Sequence, residues 1–243
     1  MNIQIIYEDE NIVAVNKPTS LLVHPAPTTK EETTLVDWIK KNYPETKNVG
    51  DDPELRPGIV HRLDKETSGI LIITKNQKTF EFLKNQFANR KVQKTYLALT
   101  KGVFKKDKGV IDIPIGRSKS NPTKRLASGK ARGKLREAIT EYEVLKKYKG
   151  YTLLQVFPKT GRTHQIRVHF KALGHPIVCD KLYSNKKSTQ TSESQCPFDI
   201  NGHFLHAKSI ELTLLNNTRI KLEAGLPDDL SKLLKSLQEY DRN

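Results

Sequence analysis

The sequence predicts one α+β domain, on three observations. Short β-type runs arrive as hairpins, helical stripes stand singly between them, and neither a low-complexity linker nor an internal repeat divides the 243 residues. The regular strand-helix alternation of a doubly wound parallel sheet is not what this order describes.

Residues 3–7 and 12–15 are β-type runs separated by the turn formers Glu8, Asp9, Glu10 and Asn11, which predicts a hairpin closing at Lys17-Pro18. Thr34 and Asp37 have capping-box spacing, and Leu35, Val36 and Ile39 follow at helical spacing until Pro44 stops the helix. After a polar loop, residues 50–57, comes the polar tract 61–69 and then a continuous apolar strand, 70–74. Phe80, Leu83 and Phe87 mark a helix to about Arg90, and residues 95–100, 138–145 and 151–157 read as strands. Thr163 is placed to cap a further helix whose apolar stripe is Ile166, Phe170 and Leu173, with Gly174 at its end and His164, Arg167 and Lys171 on the opposite face. Asp228 with Leu230, Leu233, Leu234 and Leu237 predicts a closing helix, and the polar stretch 185–195 reads as a loop.

Charge narrows the function classes. The 42 Lys and Arg against 27 Asp and Glu leave a net +15, with an isoelectric point near 9.7, which points to a polyanionic partner. No apolar run approaches the roughly 18 residues of a membrane span, and residues 1–10 lack the order of a signal peptide, so a cytoplasmic protein is expected. Two cysteines, Cys179 and Cys196, make no disulfide framework and no CxxC pair, and are expected as buried or idle thiols. Eight basic residues and no acid lie in residues 117–136: Arg117, Lys119, Lys124, Arg125, Lys130, Arg132, Lys134 and Arg136. This is either a solvated loop or hairpin tip, or a surface for backbone phosphates.

Two tracts are dense enough in polar groups to carry chemistry. In the first, Asp64 stands between Arg62 and Lys65 at a break between apolar runs. A nearby cation favours the ionised carboxylate, so Asp64 is either a ready anionic nucleophile or base, or a surface-turn acid paired with Arg62. In the second, residues 159–169, Lys159, Arg162 and Arg167 gather at a helix start, where backbone N–H groups also attract phosphate. His164 and His169 are five apart and no HExxH occurs, so hydrogen-bonded structural histidines are expected and metal is not. With no GxGxxG and no GxxxxGK[ST], any chemistry here should need no cofactor.

The tract His61-Arg62-Leu63-Asp64-Lys65-Glu66-Thr67-Ser68-Gly69 resembles the HRLDxxTSG signature of the RluA family of RNA pseudouridine synthases. In the same order, Lys94-Thr95-Tyr96-Leu97-Ala98-Leu99 resembles the family's KxYLAL element, residues 113–117 its PIGR, residues 161–169 its GRTHQIRVH, and His206-Ala207 its LHA, while Asn16-Lys17-Pro18 fits its NKP. The resemblance covers essentially residues 5–227 and implies the pseudouridine synthase fold, a mixed and mainly antiparallel sheet with flanking helices around a central active-site cleft. It also implies one catalytic domain over residues 1–243, and since this begins almost at Met1, no N-terminal S4-type domain is expected.

The implied reaction is an isomerisation in which the N1 glycosidic bond of a uridine breaks and C5 of the uracil joins C1′ of the same ribose. Asp64 would be the catalytic carboxylate, whether as nucleophile or as base. Arg167 would lie beside it, and Tyr96 would stack on the uracil. Arg62, with His61, would occupy the place of the extruded uridine, and Ile166 and Val168 would line the base pocket. Arg162, Arg117, Lys124 and Arg125 would meet the RNA backbone. The expected partner is RNA, 23S ribosomal RNA ahead of transfer RNA, acted on by a monomer. The competing readings are an RNA-binding or ribosome-assembly protein without activity, a transfer-RNA-specific synthase, and a hydrolase that would release free uracil.

Overall fold

The opening hairpin forms as its sequence predicts. Strand β1 (Gln4–Glu8) pairs antiparallel with β2 (Ile12–Lys17), and the Asp9 carboxylate closes the turn by accepting the N–H groups of Asn11 (2.7 Å) and Ile12 (2.8 Å). The chain is described by a computed structural model over residues 1–25, 32–121, 123–127, 131–184 and 196–238, and it divides into two compact units. Met1–Lys94 and Ala207–Leu226 form the first, Thr95–His206 and Pro227–Asn243 the second. The predicted loop at 185–195 lies outside the described residues, as does Lys130.

In the first unit β2 pairs antiparallel with β3 (Ser68–Thr74), whose seven residues are all buried. A strand covered on both faces reads as an unbroken apolar run, which is why residues 70–74 do not alternate. The late strands β11 (Leu205–Thr213) and β12 (Arg219–Glu223) form an antiparallel hairpin. Helix α1 (Leu35–Asn42) begins with the predicted capping box: Thr34 N–H donates to the Asp37 carboxylate at 2.7 Å, and Asp37 N–H to Thr34 Oγ1 at 3.4 Å. Helix α2 (Gln77–Ala88) is capped by Asn76 and buries Phe80 and Leu83. Gly69 has φ +114°, and its α-carbon runs so close to Ala207 that a Cβ there would stand 2.3 Å from the Ala207 carbonyl oxygen.

In the second unit four strands follow the order β4 (Gln93–Lys101), β10 (Tyr151–Pro158), β9 (Ile139–Tyr148), β5 (Lys108–Asp112), all antiparallel. Helix α3 (Gln165–Ala172) lays Ile166 and Phe170 into a core with Ala98, Phe104, Leu154 and Val156. The chain closes with α4 (Asp228–Ser236), which buries Leu230 and Leu233. The architecture is α+β, mainly antiparallel, with four α-helices among the described residues, and no helix there is long and apolar enough to cross a membrane.

Three expectations need correction. The basic segment 117–136 is less loop than sheet: β6 (Ile115–Ser118) lies between β7 (Arg125–Leu126) and β8 (Ala131–Arg136). Thr163 is not the cap of α3, because His164 takes that position in the left-handed region (φ +57°), and the Gln165 side chain instead accepts the Arg162 N–H at 3.0 Å. Cys179 and Cys196 are not separate thiols: they are joined as a disulfide, 17 residues apart in sequence with Cα atoms 4.8 Å apart.

Candidate active site

The tract that carries Asp64 is a turn held from two sides within the first unit. Thr67 N–H donates to the Asp64 carbonyl at 3.1 Å, closing four residues that lead straight into β3. From the end of β2, the Lys17 ammonium donates to the carbonyls of Pro18 (2.8 Å), Leu21 (2.9 Å) and Lys65 (3.0 Å), and Thr19 Oγ1 donates to the Glu66 carbonyl at 2.7 Å. Lys17 is fully buried, and that burial pushes its ammonium down to about 7, an effect opposed by the negative charge of Asp64. Thr67 and Ser68 are buried, so they shape the turn and offer no exposed nucleophile. Asp64 itself is half-buried on this scaffold.

His61 and Arg62 part company. The His61 ring stacks on Phe87 (4.8 Å between centroids, 21° between planes), and its Nε2 accepts the Ile72 N–H at 2.9 Å, which puts the ring proton on Nδ1. Burial, and then the charge of Lys94, push this imidazole down to about 3, so it is neutral at pH 7. Lys94 is itself pushed down to about 8 by burial. Arg62 is exposed, with Nη1 3.4 Å from His24 Nε2.

The other predicted catalytic residues belong to the second unit. Tyr96 lies on β4 opposite Val156 of β10, partly buried against the core. Arg167 does not share a solvent face with His164 and Lys171, as its helical position suggests, but is 5 % exposed. The Asp180 carboxylate takes its guanidinium side-on, Nε to Oδ2 at 2.7 Å and Nη2 to Oδ1 at 2.9 Å. Ile166 and Val168 are core residues on α3, Val168 packing with Ile115, Ala138 and Tyr183. Arg162 donates from Nε to the Glu137 carbonyl at 3.0 Å. His164 Nδ1 meets the Tyr183 hydroxyl at 2.9 Å, and buried His169 lies between Thr140 Oγ1 and the Ile113 carbonyl, so both histidines are hydrogen-bonded within the protein. Among the described residues no group of three or more His, Cys, Asp or Glu is gathered that could hold a metal ion.

The three-stranded sheet presents cations. Arg117 on its central strand, with Lys134 and Arg136 on β8, is exposed, whereas Lys124 and Arg125 are half-buried. Antiparallel pairing sets Arg117 directly opposite Arg125, two like charges whose repulsion an anion would relieve.

Four residues that fix these groups were not singled out by sequence reasoning. In the sequence Lys17 stands only as part of a motif, and Thr19 and Tyr183 carry no pattern of their own. Asp180 carried one readable sign, a lone acid directly after the apolar run Ile177-Val178-Cys179.

With this geometry in hand, the comparison with known proteins is consistent across sequence and structure. The family described as RNA pseudouridylate synthase matches residues 11–172. An uncharacterized RNA pseudouridine synthase of Aquifex aeolicus is 47 % identical over 193 residues, 79 % of this chain and 59 % of the relative. Ribosomal large subunit pseudouridine synthase D of Borreliella burgdorferi is 44 % identical over 181 residues, 74 % of this chain and 54 % of the relative. The match thus spans between half and three-fifths of these two relatives. Among solved structures, human RNA pseudouridylate synthase domain containing 4 superposes with a TM-score of 0.75 at 27 % identity, over 98 % of this chain and 94 % of that one. The fold is that of the pseudouridine synthases. The chain belongs to the RNA pseudouridylate synthase family.

Proposed function

We propose that this chain isomerises uridine to pseudouridine in RNA, without a cofactor and as a monomer in the cytoplasm, with Asp64 as the catalytic carboxylate. The observation that carries the reading is the Asp64 turn, a signature tract pinned at Lys65 and Glu66 by donors from Lys17 and Thr19. Such bracing fixes the turn that bears the carboxylate, and preorganised charge is what a reaction at C1′ needs.

In this reaction the N1–C1′ bond breaks, the uracil turns, C5 bonds to C1′, and the C5 proton leaves while N1 gains one, so product and substrate are isomers. Asp64 acts at the sugar, Tyr96 supports the uracil, Arg167 supplies the balancing cation, and Arg62 fills the space of the extruded nucleotide. Phosphates are met by Arg117, Lys124, Arg125 and Arg162. The favoured substrate is 23S ribosomal RNA, since the Borreliella burgdorferi relative is named for the large ribosomal subunit.

The test is tritium release from RNA labelled at uridine C5, run with wild type and Asp64→Asn on ribosomal and transfer RNA transcripts. Release from ribosomal RNA by the wild type alone is the expected result. Residual release by Asp64→Asn sinks the role of that residue, and release from transfer RNA only would reassign the substrate. Tight binding with no release on any RNA would favour an inactive RNA-binding protein.

A further inference from the structure

The helical register of α3 puts Arg167 with polar neighbours, yet the residue is buried. Burying a guanidinium costs free energy that a single ion pair does not generally return, and apolar replacements of such pairs are often neutral or stabilising. What an ion pair supplies that leucine cannot is orientation, because a forked guanidinium locked on two oxygens has one geometry. The partner is built for that task. Asp180 is fully buried, and its Oδ1 also accepts the N–H groups of Leu182 and Tyr183, each at 3.1 Å, so the carboxylate is fixed before it meets the arginine. Burial pushes its carboxyl upward, but the bonds and charge of Arg167, the charge of His203 and the Tyr183 backbone N–H outweigh this and hold it below the usual carboxylate range. The guanidinium also lies over the Tyr183 ring, 5.2 Å from its centroid.

We infer that Asp180, with Tyr183 as its platform, is a positioning residue that holds Arg167 in the orientation the isomerisation uses; this rests on the synthase reading above. Two of the five guanidinium donors are committed to Asp180, so rotation about the arginine stem is already arrested before RNA arrives. Without Asp180 the guanidinium loses both of these bonds, and its orientation is no longer fixed by them.

The test uses the full chain, C5-tritiated ribosomal RNA at saturation, RNA binding by filter retention and thermal melts. Asp180→Asn should lower kcat by about a hundredfold, the scale of losing a preorganised electrostatic interaction, while RNA affinity stays within about twofold because backbone phosphates dominate it. In an Arg167→Lys background the same substitution should cost almost nothing further, since the geometry it protects is already lost. Should Asp180→Asn fail to fold, Asp180→Glu keeps the charge and displaces it by a methylene; it should restore the melting temperature but not kcat.

Activity that simply follows the melting temperature, or losses that multiply in the double variant, would overturn the inference and leave a structural ion pair. An active wild type with an unimpaired, folded Asp180→Asn overturns it alone. A wild type silent on every RNA overturns the synthase reading, and the inference with it.

Discussion

The side chain of Lys17 reaches across 48 residues of sequence to the backbone of Lys65, donating to its carbonyl at 3.0 Å one residue beyond Asp64. The contact joins the end of the first hairpin to the turn that bears the carboxylate, so Lys17→Met should loosen both. Three carbonyls would lose a buried donor, at about 1–3 kcal/mol for an unsatisfied group, partly offset by removal of a buried charge. Urea melts should show lower stability at pH 7, and turnover should fall with RNA affinity kept.

The same lysine gives stability a pH signature. Its ammonium is held at about 7 in the folded chain against the ordinary 10.5 when unfolded. Between these values the unfolded chain binds the extra proton, so stability rises with pH across the window. The wild type should gain on Lys17→Met from pH 7 to 10.5, and a pH-independent difference between their melts would refute this.

His61 works in the opposite range. Its folded value of about 3 lies below the ordinary 6.5, so the unfolded chain takes up a proton first as pH falls, and the contribution of the neutral ring is lost from about 6.5 downward. His61→Gln keeps an acceptor for the Ile72 N–H but gives up the stack on Phe87. It should be the less stable protein at pH 7, with the gap narrowing toward pH 4 in parallel denaturant melts.

Gly69→Ala tests the backbone directly. The positive φ and the close approach of the Ala207 carbonyl leave no room for a methyl group. A loss of about 3 kcal/mol or more is expected by urea titration, since strain and overpacking add.

The cationic sheet predicts a salt effect. Replacing Arg117, Lys124, Lys134 and Arg136 by Gln should weaken RNA binding and flatten the dependence of log affinity on log salt by about 0.7 for each phosphate that is no longer neutralised. The single-turnover rate on bound RNA should be unchanged.

What sequence made legible here is local. The Thr34 and Asp37 capping box, the Asp9 turn and the apolar run of β3 depend on neighbours within a few residues, and each forms where its pattern lies. The Asp64 tract was legible for another reason, because its nine residues resemble one family's signature. What escaped is set by interactions between residues distant in sequence. Periodicity assigned Arg167 to a polar face because its partner, Asp180, lies 13 residues on in a segment with no periodicity of its own. The cysteine count gave no sign of the Cys179–Cys196 bond, since two thiols of unknown placement look idle. The basic segment lacks the alternation of a half-buried strand, because Lys134, Leu135 and Arg136 of β8 are all exposed while the buried residues of that sheet, Ile115, Gly116 and Ser118, lie on β6.

Tyr183 has a consequence beyond its ring. Its hydroxyl accepts the N–H of Arg125 at 2.8 Å, so one side chain touches both the cationic sheet and, through its face, the guanidinium of Arg167. A support shared by two groups is a route for coupling between them, and any coupling of binding free energies is symmetric. If RNA phosphates drawn to Arg125 shift Tyr183 and thereby change the affinity for a nucleotide at Arg167, occupancy at Arg167 must change the hold on those phosphates by the same factor. Product and substrate RNA that differ in one base would then be released from the cationic sheet with different ease, although no atom of that base touches it.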